Sequence, residues 1–372
     1  MEDCGLFKIT HVVGARPNFM KVAPIIAALK AKSNELDIAL EQRLVHTGQH
    51  YSPQMSDLFF NELGLPEPDL NLGVGGGSHG ENTGKVLIEF EKYLIENPCD
   101  AVLVVGDVNS TIACALAAKK LGIQVIHVES GLRSFDMGMP EEVNRVLTDR
   151  ISDLLYVSEP SGLENLKNEG VPDEAVHFMG NVMIDSLLTH KEKALAKPTL
   201  NDLGVTAGNY ILTTLHRPSN VDEAEALKII ADALAVLSQD ATVVFPVHPR
   251  TRQKISQFGF EELFSRVKLV EPLGYLDFVN CMANAALVVT DSGGIQEETT
   301  ILKVPCLTLR KNTERPATID FGTNQLVPLE TPVIIETAQK TLGAPVADRT
   351  PELWDGQASV RIAEHLLSHF SS

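Results

Sequence analysis

The sequence predicts an α/β protein of two Rossmann-like, doubly wound parallel-sheet domains, and three observations lead there. Strand-like and helix-like segments alternate along all 372 residues. Many of the strand-like segments are unbroken Val/Ile/Leu runs, as in parallel sheets covered on both faces. A polar stretch, His190 to Gly204, divides the strands into two groups of six, and the length exceeds one ordinary core.

The strands of the first group are Phe7 to Val13, Gln42 to His46, Ala101 to Val105, Gln124 to Val128, Leu154 to Val157 and Ala175 to Phe178. Those of the second are Tyr210 to Leu215, Thr242 to Val247, Val267 to Val270, Leu287 to Thr290, Cys306 to Leu309 and Gln325 to Pro328. After the first strand, Phe19, Val22, Ala23, Ile26 and Leu29 share one helical face; Pro24 inside it is a local cost with no account in the sequence. Leu65 to Asn71 reads as a Pro/Asp-containing loop and Gly73 to Gly80 as a mobile loop. Within it, "GGGSHG" fits G-x-G-x-x-G literally but follows no expected strand, and "HGENTGKV" is one residue short of a P-loop.

Forty-nine acidic against thirty-one basic residues give a net charge of −18, which argues against nucleic acid or an anionic membrane as a general partner. No apolar run approaches the ~20 residues of a membrane span, and the acidic N-terminus lacks a signal-peptide layout, so a cytoplasmic protein is expected. Five cysteines lie far apart without C-x-x-C, and four of them read as small core residues. His365 and His369 stand at i,i+4 but lack the glutamate of a zinc motif, so they read as surface, and no metal is expected.

Parallel sheets bind ligands beyond the carboxyl ends of their strands, so the residues just past each strand are the candidates. In the first half these are Arg16 and Lys21, then Gln49 and His50, Asp107, and Glu129 with Arg133 and Asp136; "MPEEVNR" adds Glu141, Glu142 and Arg145. In the second half they are His216 and Arg217, His248 and Arg250, and Asp291 and Ser292. Ser292-Gly293-Gly294 forms a strand-to-helix turn whose outward N–H groups and helix dipole suit a phosphate, with Glu298 one turn on. An ordinary N-capped turn has the same pattern. A single carboxylate at a strand end is usually an N-cap or ion-pair partner: Asp107 suits the helix from Thr111, and Glu141 the acidic first turn after Pro140. Several at successive strand ends, facing arginine, lysine and histidine, suit acid/base chemistry on an anionic ligand, with no metal and no covalent nucleophile required.

The blocks "GARPNFMKVAP", "TGQHY", "GDVNST", "HVESGLRS", "PEEVNR", "GNVMID", "TLHRPSN", "PVHPRT" and "TDSGGIQEE" span most of the chain in this order. With them the sequence resembles the non-hydrolysing UDP-N-acetylglucosamine 2-epimerases. The resemblance implies a glycosyltransferase-B architecture, two domains facing a cleft: residues 1–180, rejoined by a final helix at 358–372, and a UDP-binding domain at 181–357. It implies Asp107, Glu129 and Glu141 as acid/base carboxylates, and Lys21, Arg145 and His216 as residues of activity or diphosphate binding. It further implies Ser292, Gly293 and Gly294 on the diphosphate, Glu298 on the ribose, and Arg16 with the backbone near Phe278 at the uracil end. Gln49, His50, Arg217, His248 and Arg315 complete the expected substrate contacts.

The chemistry so implied is anti elimination of UDP to a 2-acetamidoglucal and syn re-addition, with no cofactor, in a homodimer. Relatives activated by a second substrate molecule carry a glutamine where Ser52 stands and an arginine in the loop filled here by Gly73 to Gly80, so the sequence departs from them at both positions and leaves substrate activation open. Some relatives act instead on diacetamido uronic acid nucleotides. The architecture also serves glycosyltransferases, and water admitted to the glycal would make a hydrolase.

Overall fold

The computed structural model describes residues 6–48, 67–346 and 348–371, with the Arg16 side chain outside the description. The expected sites Gln49 and His50, the Arg16 side chain, and Ser52 therefore lie outside the described residues. The chain forms two compact units, Met1–Leu188 with Glu352–Ser372, and Thr189–Pro351.

The first unit holds a seven-stranded sheet of β1 (Phe7–Val13), β2 (Leu40–His46), β3 (Leu70–Asn71), β4 (Ala101–Val105), β5 (Gln124–Ser130), β6 (Leu154–Val157) and β7 (Val176–Phe178). The second holds a six-stranded sheet of β8 (Tyr210–Thr214), β9 (Thr242–Pro246), β10 (Lys268–Val270), β11 (Leu287–Thr290), β12 (Cys306–Thr308) and β13 (Asn324–Leu326). Their orders are β3-β2-β1-β4-β5-β6-β7 and β10-β9-β8-β11-β12-β13, and every described pairing is parallel. Both sheets start in the middle, run to one edge, return and run to the other. Strand order thus reverses between β1 and β4 in one unit and between β8 and β11 in the other, which is where open α/β sheets bind ligands.

Burial follows the apolar runs. All five residues of β4 are buried, as are all four of β11, so each central strand is covered on both faces. Among the described residues no helix is long and apolar enough to cross a membrane.

Several sequence expectations need correction. β3 falls inside the expected loop Leu65 to Asn71; it is a two-residue edge strand whose exposed side chains carry no apolar pattern. Asp69 fixes it, accepting from the Leu44 N–H at 2.6 Å. A strand therefore does precede the G-x-G-x-x-G run, but it lies at the sheet edge, away from the order reversal. The expected loop Gly73 to Gly80 ends early: Ser78 caps the helix His79–Glu96, its side chain accepting from the Glu81 N–H, and Gly80 is helical. His365 is half-buried rather than surface, 2.9 Å from the Tyr156 hydroxyl, and burial pushes its imidazole down to about 4.

Pro24 has a structural account. It sits inside the unbroken helix Arg16–Leu36, where its missing N–H leaves the Met20 carbonyl without its helical donor. The Ser186 hydroxyl donates to that carbonyl instead. The returning C-terminal segment is tied to the first unit by Trp354, whose Nε1 donates to the Ser158 carbonyl at 2.8 Å. Asp185 accepts from the Ala358 and Ser359 N–H groups that open the helix Ala358–Phe370.

Candidate functional site

In the first unit, the β1/β4 reversal is laced by Asn18. Its carboxamide oxygen accepts from the N–H groups of Gly14 and Ala15, and its nitrogen donates to the Val105 carbonyl at 3.0 Å. One turn on, Lys21 forms a buried ion pair with Glu129. β5 runs two residues past its expected end, so Glu129 lies within the strand, at a bulge between Val128 and Ser130. Its φ is 68°, a left-handed conformation unusual for a side-chain-bearing residue. Such strain persists where the surroundings enforce it, often at functional sites. Gly106 lies beside the pair at φ 67°, a left-handed conformation that favours glycine.

Asp107 does not cap a helix. The helix following β4 is Asn109–Lys120, and Asp107 instead takes the guanidinium of Arg145, 2.9 Å from Nε and 2.8 Å from a terminal nitrogen. Arg145 in turn is held by buried Glu142, which also accepts from the N–H groups of Ser134 and Phe135. Glu141 is exposed in the first turn of the helix Pro140–Ile151, one helical turn before Arg145. The structure therefore joins Lys21 to Glu129 and Arg145 to Asp107, and gives the fixing role to Glu142, one residue from the expected carboxylate.

A second buried network stands behind this site. His127 lies 2.6 Å from Asp149 through Nδ1 and 2.9 Å from the Gly106 carbonyl through Nε2. Asp149 also accepts from Gly131 N–H at 3.0 Å and from Arg133 at 2.7 Å. Burial would raise its carboxyl, but the adjacent His127 and Arg133 outweigh that and hold it below its ordinary value. Arg133 thus supports β5 rather than facing a ligand.

In the second unit, Asp291 ends β11 fully buried and organises the β8/β11 reversal. It accepts from the N–H groups of His216 and Arg217 and from the Asn220 amide, and lies 2.9 Å from His216 Nδ1. Burial opposes its charge, yet these partners hold its carboxyl below the ordinary value. The exposed His216 ring is thereby oriented by Asp291, which stands just before the helix Gly293–Leu302 in the chain. Ser292 is the N-cap residue, but its side chain makes no cap hydrogen bond, so it leaves the first-turn N–H groups unblocked. A Cβ at Gly293 would fall 2.6 Å from an Arg315 nitrogen and 2.8 Å from Glu314 Oε1, so a larger residue there would have to displace that buried ion pair.

Arg315 is buried and ion-paired with Glu297 at 2.9 Å and with Glu314, while Arg310 pairs with Glu314 at 2.7 Å. Glu298 is buried too; Tyr275 donates to its Oε1 at 3.1 Å, and burial pushes its carboxyl up to about 8. Phe278 lies within the helix Tyr275–Ala283 and spends its N–H on the Gly274 carbonyl. His248 caps the helix Pro249–Gln257, accepting from Arg250 N–H at 3.3 Å.

Sequence reasoning missed Asn18, Asp149 and Tyr275, and it named Glu142 among the candidates without the fixing role it has here. Asn18 had a local signal, a short polar side chain in the first helical turn just after Pro17; the others are fixed by distant partners.

These two strand-order reversals have counterparts among known proteins. A family model described as UDP-N-acetylglucosamine 2-epimerase matches residues 32–367. A UDP-N-acetylglucosamine 2-epimerase of Methanocaldococcus jannaschii is 45% identical over 328 residues, covering 86% of this chain and 88% of that one. The UDP-2,3-diacetamido-2,3-dideoxy-D-glucuronate 2-epimerase of Pseudomonas aeruginosa is 41% identical over 362 residues, covering 96% and 99%. The crystal structure of the M. jannaschii enzyme in complex with UDP-GlcNAc and UDP superposes with a TM-score of 0.89 at 41% identity, covering 97% of this chain and 100% of that one. Two all-parallel sheets with the glycosyltransferase-B-like fold, and matches of this identity along nearly the full length, lead to one conclusion: the chain belongs to the UDP-N-acetylglucosamine 2-epimerase family of isomerases.

Proposed function

We propose that the protein interconverts UDP-N-acetylglucosamine and UDP-N-acetylmannosamine by inverting C2. The observation that carries the chemistry is the buried Lys21–Glu129 pair, with Glu129 held in a strained bulge of β5, the strand next to the β1/β4 reversal. No carbonyl adjacent to C2 acidifies its proton, so departure of UDP from C1 must lead. Anti elimination to a 2-acetamidoglucal, then syn re-addition of UDP to the opposite face of C2, meets that demand.

Asp107, Glu129 and Glu141 are the proposed proton-handling carboxylates, the first paired with Arg145 and the second with Lys21. Gly293 and Gly294 offer N–H groups to the diphosphate and Ser292 its hydroxyl, the Ser292 N–H being held by Thr290 Oγ1 at 3.0 Å, and His216 adds a donor there. Glu298 receives the ribose. Assembly as a homodimer belongs to the same proposal.

A second reading has specific support in the P. aeruginosa relative at 41% identity: the sugar would be a diacetamido uronic acid. Incubation of the protein with each UDP-sugar alone, with products resolved by ion-pair chromatography, separates the two. The proposal expects turnover of UDP-N-acetylglucosamine; turnover of the uronate alone would move the assignment to the second reading. Dependence on an added acceptor would make the protein a transferase, and release of free sugar with UDP a hydrolase.

A further inference from the structure

Glu298 is 4% exposed, and among the described residues its side chain has one hydrogen-bond donor, the Tyr275 hydroxyl at 3.1 Å from Oε1. Tyr275 begins the helix Tyr275–Ala283, so its ring is placed by a different element from the one that carries Glu298. Burial first, and then the nearby Glu298, push the phenol well above its ordinary value, so Tyr275 is always the donor. A carboxylate with one oxygen taken by a fixed phenol presents the other in a defined direction, which is what grip on a vicinal diol requires.

We propose that Tyr275 is a positioning residue: its hydroxyl aims the Glu298 carboxylate at a cis-diol and so sets the preference for a ribonucleotide over a deoxyribonucleotide. The inference rests on the reading that Glu298 receives the ribose. The charged groups nearby are already matched. On the helix Gly293–Leu302, Glu297 is met by Arg315, with Glu314 and Arg310 beyond. On Tyr275's own helix, Asp277 is paired with Lys197. The His190 ring lies edge-on to Tyr275 at 6.3 Å, and Asp291 at the end of β11 is held by His216 and Arg217. Glu298 stands apart from Asp277 and Asp291, whose partners hold their carboxyls below the ordinary value. Burial, with the charge of Glu297 adding, raises it to about 8, and the Tyr275 hydrogen bond opposes the rise.

Calorimetric titration with UDP and with 2′-deoxy-UDP between pH 6 and 9, on the wild type, Tyr275→Phe and Glu298→Gln, tests the inference. The affinity ratio of the two ligands cancels diphosphate and uracil contributions, and it also cancels any partial unfolding of a variant. In the wild type the ratio favours UDP and rises with pH through a midpoint near 8 as the carboxylate ionises. Tyr275→Phe lowers the ratio about tenfold at pH 7 and moves the midpoint up by about one pH unit, because the bond that favoured the ionised form is gone. Glu298→Gln gives a low, flat ratio. A wild-type ratio near one that Glu298→Gln leaves unchanged would sink the ribose reading and the Tyr275 inference with it. Expected behaviour of the wild type and Glu298→Gln, with Tyr275→Phe matching the wild type in both ratio and midpoint, would overturn the role of Tyr275 alone.

Discussion

Replacing Arg133 by Met should destabilise the first unit by about 3–5 kcal/mol, the cost of removing one partner from a buried charge pair. The Asp149 side chain is 1% exposed and, among the described residues, would keep His127 and the Gly131 N–H as partners. The other half of the Arg133 network, Glu169, is 38% exposed, so its loss adds less than about 1 kcal/mol. Urea unfolding can be read for this unit alone, because the single tryptophan, Trp354, is buried there and donates to the Ser158 carbonyl. A protein of two units needs such a local probe, since a global signal merges two transitions. With a urea dependence of about 2–3 kcal/mol per molar, the Trp354 midpoint should fall by roughly 1–2 M. The double variant Arg133→Met/Asp149→Asn, which removes the stranded charge, should recover more than half of the loss. A single-variant effect below about 1 kcal/mol would refute the reasoning, showing the network to be energetically equivalent to a surface pair.

Three further outcomes follow from the geometry. Asp107→Asn and Glu129→Gln should each lower turnover by about a hundredfold or more while UDP affinity, measured by calorimetry, changes little; a tenfold loss of UDP affinity with normal turnover would reverse the assignment. Ser186→Ala should cost about 1 kcal/mol in the wild type and little in Pro24→Ala, where a helical N–H again serves the Met20 carbonyl, and equal costs in both backgrounds would remove that account of Pro24. Asp291 has a folded carboxyl below its ordinary value of 3.8, so the stability it contributes is complete above that value and lost as pH falls through the lower folded one. Acid titration of Asp291→Asn, followed by circular dichroism, should therefore lose less stability below pH 3.8 than the wild type, and an identical acid profile would contradict this.

The parallel strands were legible because burial on both faces leaves nothing but apolar side chains over four or five positions, as in β4 and β11. β3 was not, since Leu70 and Asn71 are exposed and held by backbone pairing and Asp69, neither of which marks a sequence. Candidate residues were legible where topology forces them to strand ends: Lys21, Asp107, His216 and Asp291 stand at the two reversals, with Glu129 on the neighbouring β5. Sequence could not say which of two adjacent glutamates turns inward. Helix phase decides that, and it buries Glu142 against Arg145 while leaving Glu141 exposed. Partners far apart in the chain stay hidden for the same reason. Asn18 meets the Val105 carbonyl 87 positions away, and Ser186 meets Met20 166 positions away.

The central claim is that C2 inverts through loss and return of its proton while UDP departs from C1. Proton NMR of the protein with UDP-N-acetylglucosamine in deuterated water, without added metal or nicotinamide, tests it most directly. The account predicts UDP-N-acetylmannosamine carrying deuterium at C2, with deuterium also entering the remaining substrate as the reaction reverses. Formation of UDP-N-acetylmannosamine that retains its original C2 proton would contradict it.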